Sequence, residues 1–520
     1  MSQPKVSFII TTYNTEKWIP QVVASIREQD WSNKEIIIVD DGSQDGSLSV
    51  AKSFEGKKDT KVIEKTHSGA PQTRNRGFQE ATGDYILFLD TDSKLKPGTI
   101  RKQVEFLESH REYGFYYGGY VICSDEELEK PVMEFRSDPF DRYFLEQFNY
   151  ISGTSLMRKE CFEYAVEKQG GWDPNIQSLQ DWDLWLTITK KYKGYHDQEI
   201  LFATYLPGSS GISKDSASHW LKRLRAIKKK HELKENDICV TSLGAPEHAR
   251  KIAKLIGADY RLMPSQKPHN YKMIYLLGFY PQAIDNHAAV FRNHNGVRLI
   301  HWIGTDILQL MTLPYWTALQ VKKVLDDSFP HQLSEVEMTH DELKKMQIET
   351  EIVPLPVALD ISEQPLPKEY AVAIYRPETN RQVHSVEVID QIMHSMPDVK
   401  FKVFGTPQEI GEQNNVEFLG KLDEEGMKKL IKKTSLLLRL TVHDGLPLTA
   451  CEWILAGRHV LTNHTFPYCE KTNGEVADVI DKIRRMKDLR ENTIGASYYR
   501  DWLDIDNYKE KIHGYLKRKR

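Results

Sequence analysis

At 520 residues the chain is too long for one ordinary core, so two or three domains are expected. Its 40% hydrophobic and 28% charged residues are those of a soluble globular protein, and a net charge of −4 argues against a surface built to coat nucleic acid, leaving room only for a local basic patch. The five cysteines, Cys123, Cys161, Cys239, Cys451 and Cys469, are scattered with no C-x-x-C pair, which fits reduced thiols in a cytoplasmic compartment and gives a structural zinc site little support.

In chain order, Met1 to Lys5 lead at once into an apolar strand, Val6 to Ile10, which leaves no room for a signal peptide. That strand runs into Thr11-Thr12-Tyr13-Asn14. A second, Glu35 to Val39, ends in Asp40-Asp41-Gly42-Ser43. A third, Tyr85 to Leu89, ends in Asp90-Thr91-Asp92. Helical patterns at Glu16–Gln29 and Ser47–Phe54 alternate with these strands, the sign of a parallel sheet. Ligands bind at the carboxyl ends of such strands. Carboxylates gathered there suit a hard divalent cation, which usually carries phosphate oxygens. The pattern therefore predicts a site for a nucleotide diphosphate with a metal.

Residues 115–210 are more irregular and rich in aromatics. They include Gly118-Gly119, Gly170-Gly171-Trp172 and a helical Asp181-Trp182-Asp183-Leu184-Trp185-Leu186. Asp40 with Ser43 reads as a turn, Asp183 as a solvated helix face and Arg76 as a surface residue. Ser216 to Lys234 is basic and helical, and reads as a solvated linker helix packing along one apolar edge.

A new strand–helix series starts at Asp237-Ile238-Cys239-Val240 and includes Met273–Gly278 and Arg298–Trp302. His301 reads as a buried histidine; it and Asp306 lie at a strand end, where they would face a cleft. A third series begins near Tyr370, after a connector marked by Pro354, Pro356, Pro365 and Pro367. The boundaries expected are 1–215, a linker 216–236, and two Rossmann-like halves at 237–362 and 363–520. No apolar run approaches the roughly 20 residues that a spanning helix needs.

Residues 5 to about 210 resemble the family 2 glycosyltransferases, which have the GT-A fold. The resemblance implies that Thr11 and Tyr13 hold the nucleotide base, Tyr13 by stacking. It implies that Asp41 accepts from a pyrimidine N3–H, favouring a UDP- or dTDP-sugar donor. Arg74, in Gln72-Thr73-Arg74-Asn75-Arg76-Gly77, is placed for the pyrophosphate. Asp92 is implied as the ligand of Mg²⁺ or Mn²⁺, with Asp90 facing the ribose or the metal's waters. Gln180-Asp181 resembles the family's Glu-Asp motif with Gln in place of Glu, so Asp181 is implied as the base of an inverting transfer. Trp182 is a candidate for stacking on a sugar ring, whereas Trp172 and Trp185 read as core.

The C-terminal part is similar to GT-B glycosyltransferases of the family 4 type. Asp444 and Glu452 enclose seven residues, as in Glu-x7-Glu with Asp in the first place, and Arg376 and Arg381 follow the strand Ala371–Tyr375. The resemblance gives Glu452 to the donor ribose, Asp444 to the donor sugar and both arginines to the phosphates, with no metal and a retaining transfer. The first half is shorter than that family usually shows.

The expected protein is an α/β bifunctional glycosyltransferase, a GT-A domain followed by a GT-B unit. It would act on a glycan, lipid-linked or protein-linked acceptor. The alternative is one active GT-A transferase with a GT-B-like module that binds acceptor or serves as a scaffold. A cytoplasmic protein would meet a lipid-linked acceptor at the inner face of the membrane, and the basic end, Lys517 to Arg520, fits peripheral contact there. A sugar nucleotidyltransferase is the competing enzyme class, but no Gly-rich, Lys/Arg-containing triphosphate loop lies near residue 12.

Overall fold

The computed structural model describes residues 3–56, 59–176, 178–205, 217–242, 245–261, 271–279, 291, 294–357, 361–377, 384–405 and 414–517. It divides into two compact units, 1–235 and 236–520.

The first unit is built on a mixed sheet of nine strands among the described residues. These are β1 (Val6–Thr12), β2 (Lys34–Asp40), β3 (Thr60–Glu64), β4 (Tyr85–Asp90), β5 (Ser93–Leu95), β6 (Tyr113–Cys123), β7 (Pro131–Phe135), β8 (Leu156–Arg158) and β9 (Lys193–Tyr205). The order is β3-β2-β1-β4-β8-β6-β9-β5, with β7 paired to β6. β3, β2, β1 and β4 are parallel, in a register that sets Thr12 beside Asp40 and Thr11 beside Asp90. β1, β2 and β4 read as continuous apolar runs because helices cover both faces; Phe8, Ile9, Ile36 and Ile38 are all buried. One core lies on each side of the sheet, around Ile10 and Leu89 on one face and around Ile9 and Phe88 on the other.

The first two helices are shorter than the pattern implied, Ile19–Arg27 and Ser47–Lys52. Pro20 sits in the first turn of the former, where its missing N–H costs nothing. The basic stretch packs along one apolar edge, as expected, but within the first unit rather than as a separate linker. Its helix, Ala217–Lys230, belongs to the first unit, with Ile227 in the same core as Trp185.

The second unit carries two wholly parallel six-stranded sheets among its described residues. The first consists of β10 (Ile238–Ser242), β11 (Asp259–Tyr260), β12 (Met273–Leu277), β13 (Val297–Trp302), β14 (His331–Ser334) and β15 (Glu351–Ile352), in the order β11-β10-β12-β13-β14-β15. The second consists of β16 (Ala371–Tyr375), β17 (Lys400–Phe404), β18 (Val416–Phe418), β19 (Leu436–Arg439), β20 (His459–Thr462) and β21 (Glu470–Lys471), in the order β18-β17-β16-β19-β20-β21. This last order is that of a dinucleotide-type doubly wound sheet. The final helix, Ile505–Tyr515, returns to the first of these sheets, where Tyr508 Oη lies 2.6 Å from Tyr275 Oη and His513 Nε2 lies 2.8 Å from the Ile256 carbonyl.

All five cysteines are free. Among the described residues no helix is long and apolar enough to cross a membrane.

Candidate active site

The polar clusters at the ends of β1, β2 and β4 line one cleft of about 610 Å³ in the first unit, with Thr11, Tyr13, Asp41, His67, Asp90 and Asp92 on its walls. Asp40 is a turn residue, as expected: its Oδ2 accepts from the N–H groups of Gly42 and Ser43, at 3.1 and 3.0 Å. Gly42 has φ +73°, and a Cβ there would stand 2.9 Å from the His67 nitrogen. A glycine is therefore needed for the two loops to meet.

Asp41 is engaged by the neighbouring turn. It is buried, and its carboxylate accepts from the Ser68 N–H (2.9 Å), the Gly69 N–H (2.8 Å) and Lys65 Nζ, with His67 Nδ1 at 3.0 Å. Burial alone would raise this carboxyl, but Lys65 and the two backbone donors outweigh it and hold it below the usual range. The acceptor sites of Asp41 are thus taken by the 65–69 turn. That turn in turn places the His67 ring against Tyr13, at 4.2 Å and 27°. Tyr13 stays 41% exposed, so the pair forms an aromatic ledge on the cleft wall. Sequence reasoning missed Lys65 and His67, although β3 lies parallel beside β2 and must deliver its end to the same rim.

A second pocket, of about 270 Å³, is lined by Arg74, Asp90, Tyr120, Trp172, Gln180 and Asp181, among others. Asp90 is common to both cavities. Arg74 spans the boundary: its Nη2 donates to Asp90 Oδ1 at 2.8 Å and its Nη1 to Gln180 Oε1 at 3.0 Å, while the guanidinium lies 4.6 Å from the Trp172 ring. Gln180 is a neutral acceptor here, and Arg74 pairs its charge with Asp90. Burial and the neighbouring charge of Asp90 push the Asp92 carboxyl up to about 7.

Asp181 opens the helix Gln180–Ile188. Its Oδ2 accepts from Asn149 Nδ2 at 2.8 Å and its Oδ1 from the Trp182 N–H at 2.9 Å. Burial raises the carboxyl, against the Trp182 N–H, Arg74 and Asn149. A partly buried carboxylate with raised proton affinity, facing a pocket, suits a general base.

Two expectations on this helix are corrected. Asp183 is not a solvated face: it is buried and accepts from Gln169 Nε2 (2.9 Å), Lys230 Nζ (2.8 Å) and His231 Nε2, which lies 2.7 Å away. Every residue from Trp182 to Ile188 is buried, so the helix has no wet side there. Trp182 is likewise no sugar platform, since it is core and its Nε1 donates to the Leu145 carbonyl. Trp185 is core too, stacked on Phe115.

In the second unit Arg376 and Asp444, of the expected set, each have partners of their own. Arg376 is buried and paired with Asp390, with Nε and Nη2 at 3.2 and 3.3 Å, rather than lying open to a ligand. Arg381 lies outside the described residues. Asp444 is held by Arg439 in a two-pronged pair at 2.6 and 3.0 Å. Glu452 lines a separate pocket of about 170 Å³ with His248, Lys251 and Thr449. Burial pushes its carboxyl up to about 7, opposed by the charge of Lys251. His301 is buried against Tyr275, and burial pushes it down to about 3. Asp306 faces no cleft: it is buried and accepts from the N–H groups of Phe279, Ile303 and Ile307.

Residues 7–165 match the model of glycosyl transferase family 2. A Bacillus subtilis protein named as a glycosyltransferase, EpsE, is 32% identical over 205 residues, which are 39% of this chain and 73% of that protein. The chain belongs to glycosyl transferase family 2. A second B. subtilis relative, TuaG, named for teichuronic acid biosynthesis, is 30% identical over 224 residues, 41% of this chain and 83% of that protein. A crystal structure of S. aureus TarS, residues 1–349, overlaps 44% of this chain and 65% of that one, at 22% identity and a TM-score of 0.33. The transferase thus carries a GT-A-like domain in its first unit.

Proposed function

We propose that the first unit transfers a sugar from a UDP- or dTDP-sugar, bound in the larger cleft, to a hydroxyl of a glycan, lipid-linked or protein-linked acceptor in the smaller pocket. The observation that carries this reading is the pair of cavities meeting at Asp90, with Asp181 in the second. The Tyr13–His67 ledge takes the base, and Asp41 fixes that ledge through the 65–69 turn. Arg74 stands between the cavities, where the departing diphosphate needs a planar cationic fork. Asp181 removes the proton of the attacking hydroxyl, from the side opposite the leaving group, so the anomeric centre inverts.

Asp90 and Asp92 fit a divalent cation: burial and the neighbouring Asp90 charge raise Asp92, and a cation between the two carboxylates would offset both. Among the described residues no group of three or more His, Cys, Asp or Glu side chains is arranged to hold a metal ion by itself. Two carboxylates with diphosphate oxygens and water filling the rest of the shell is a usual arrangement for Mg²⁺. When bound, Mg²⁺ or Mn²⁺ supplies charge neutralisation for the leaving diphosphate.

The two parallel sheets of the second unit support a GT-B-like reading. Arg376 and Asp444, both tied to partners within the unit, favour a module that binds acceptor or acts as a scaffold over a second transfer centre. Donor hydrolysis and transfer, screened over UDP-, dTDP- and GDP-sugars with Mn²⁺ or EDTA, test both points on wild type, Asp92→Ala and Glu452→Ala. Loss of all turnover with Asp92→Ala, and none with Glu452→Ala, is expected. A second donor lost only with Glu452→Ala would instead make the chain bifunctional.

A further inference from the structure

Two rows of side chains lead out of the pocket that holds Asp181. Phe202 on β9 and Tyr120 on β6 both line that pocket, and they are register partners whose rings lie 5.1 Å apart at 13°. Tyr120 is in turn the partner of Phe135 on β7, with rings 5.0 Å apart at 10°. Three near-parallel rings therefore cross three strands. Beside them runs a second row, Thr204, Ile122 and Met133, again joined by register, with Thr204 in the pocket wall.

Both rows end in the open. Phe135 is 42% and Met133 53% exposed, on a strand whose five residues are all exposed. The close seating of β7 is built into the sequence: a Cβ at position 119 would stand 2.6 Å from the Phe135 carbonyl oxygen, so Gly119 lets the strand approach. Exposed apolar side chains in a contiguous track mark a binding surface more often than chance scatter does.

We propose that this track is an extended acceptor subsite, occupied by the saccharide units that follow the one under attack. The proposal rests on the reading of the Asp181 pocket as the acceptor site. Continuity decides the occupant: the track begins in that pocket wall, so whatever lies on it is joined to what enters the pocket. Flat rings and a thioether suit the apolar C–H faces of sugar rings, whose hydroxyls point sideways into water. A single sugar fills only the pocket and gains nothing from Phe135.

The probes are glucose and N-acetylglucosamine, each with its β1,4-linked di- and trisaccharide. Affinity is read by saturation-transfer NMR, and UDP release is measured in the same samples. Wild type is expected to bind the trisaccharide roughly 3- to 10-fold more tightly than the monosaccharide, the size of one good aromatic contact. Phe135→Ala and Met133→Ser are each expected to shrink that ratio, leaving monosaccharide affinity in place. No length dependence in wild type for either series, or an unchanged ratio in both variants, overturns the proposal. A change of oligomeric state in Phe135→Ala with an unchanged ratio assigns the edge strand to a second copy of the chain and overturns it as well. Hydrolysis of nucleotide-sugars by wild type, read alone, checks the underlying reading: if present without length dependence, only the subsite fails; if absent for every donor, the transferase reading of the site fails with it.

Discussion

Replacing Asp183 by Ala tests the claim that the basic helix is part of the catalytic unit. Asp183 accepts from Gln169, Lys230 and His231, and the His231 side chain is only 3% exposed. Removing one partner from a buried charged group costs about 3–5 kcal/mol. Lys230 keeps Asp173 at 2.7 Å and is itself 28% exposed, so the lower end applies, about 3 kcal/mol. For a unit the size of residues 1–235, each kcal/mol moves the midpoint by about 2–4 °C, giving a fall of about 6–12 °C. Differential scanning calorimetry reads this directly. Donor transfer should fall as well, chiefly in kcat, because the loosened helix carries Asp181. Asp173→Ala, which removes a partner that is 16% exposed, should cost less. A midpoint within about 2 °C of wild type for Asp183→Ala would refute the argument, since a solvated carboxylate behaves that way.

Asp181→Asn should abolish transfer while UDP binding, measured by calorimetry, stays within about threefold, because the residue lines the second pocket and not the first. Arg74→Lys should lower kcat/KM at least tenfold in steady-state assays, since a point charge cannot span Asp90 and Gln180 together. Gly42→Ala should destabilise by about 1–3 kcal/mol and weaken UDP binding, as the added Cβ meets the His67 backbone at positive φ. Glu452 has a carboxyl raised from 4.5 to about 7, so its contribution to stability is full below pH 4.5 and is lost as pH rises through 7. Glu452→Gln should therefore stabilise the second unit at pH 8 by about 1–3 kcal/mol, seen as a raised unfolding midpoint, and leave it nearly unchanged at pH 5. Equal shifts at both pH values would refute the assignment.

The larger cleft is legible in the sequence because a parallel strand covered on both faces must be apolar throughout, so Asp41, Asp90 and Asp92 stand out where the runs stop. The role of Asp183 was not. It sits in a helix flanked by Trp182 and Leu184, and its partner His231 is 48 residues away, a pairing that only packing reveals. His67 and Lys65 were equally silent, since neither belongs to an apolar run. Arg376 followed a buried strand as a phosphate ligand would, yet Asp390, on the helix Val386–Ser395, engages it first. The apolar edge of the basic helix is legible at Leu224 and Ile227, but the crossing of Lys230 to Asp173 and Asp183 is not, because those partners lie 57 and 47 residues away. β7 is short and bears Glu134 and Pro131, so it carries no clear alternation, and the ring row it completes depends on register with β6.

The return of the last helix bears on how the protein is made. The first unit is whole once residue 235 has left the ribosome, because its closing contacts, Lys230 and His231 on Asp183, come at its own end. The second unit has no such early finish. Its first sheet receives Tyr508 against Tyr275, and the helix Pro246–Ile256 receives His513, only from the distant helix Ile505–Tyr515. Those contacts must therefore wait through the synthesis of more than 150 residues after β15. Chaperone dependence should concentrate in the second unit, and removing the helix Ile505–Tyr515 should spoil that unit while leaving the cleft of the first unit intact.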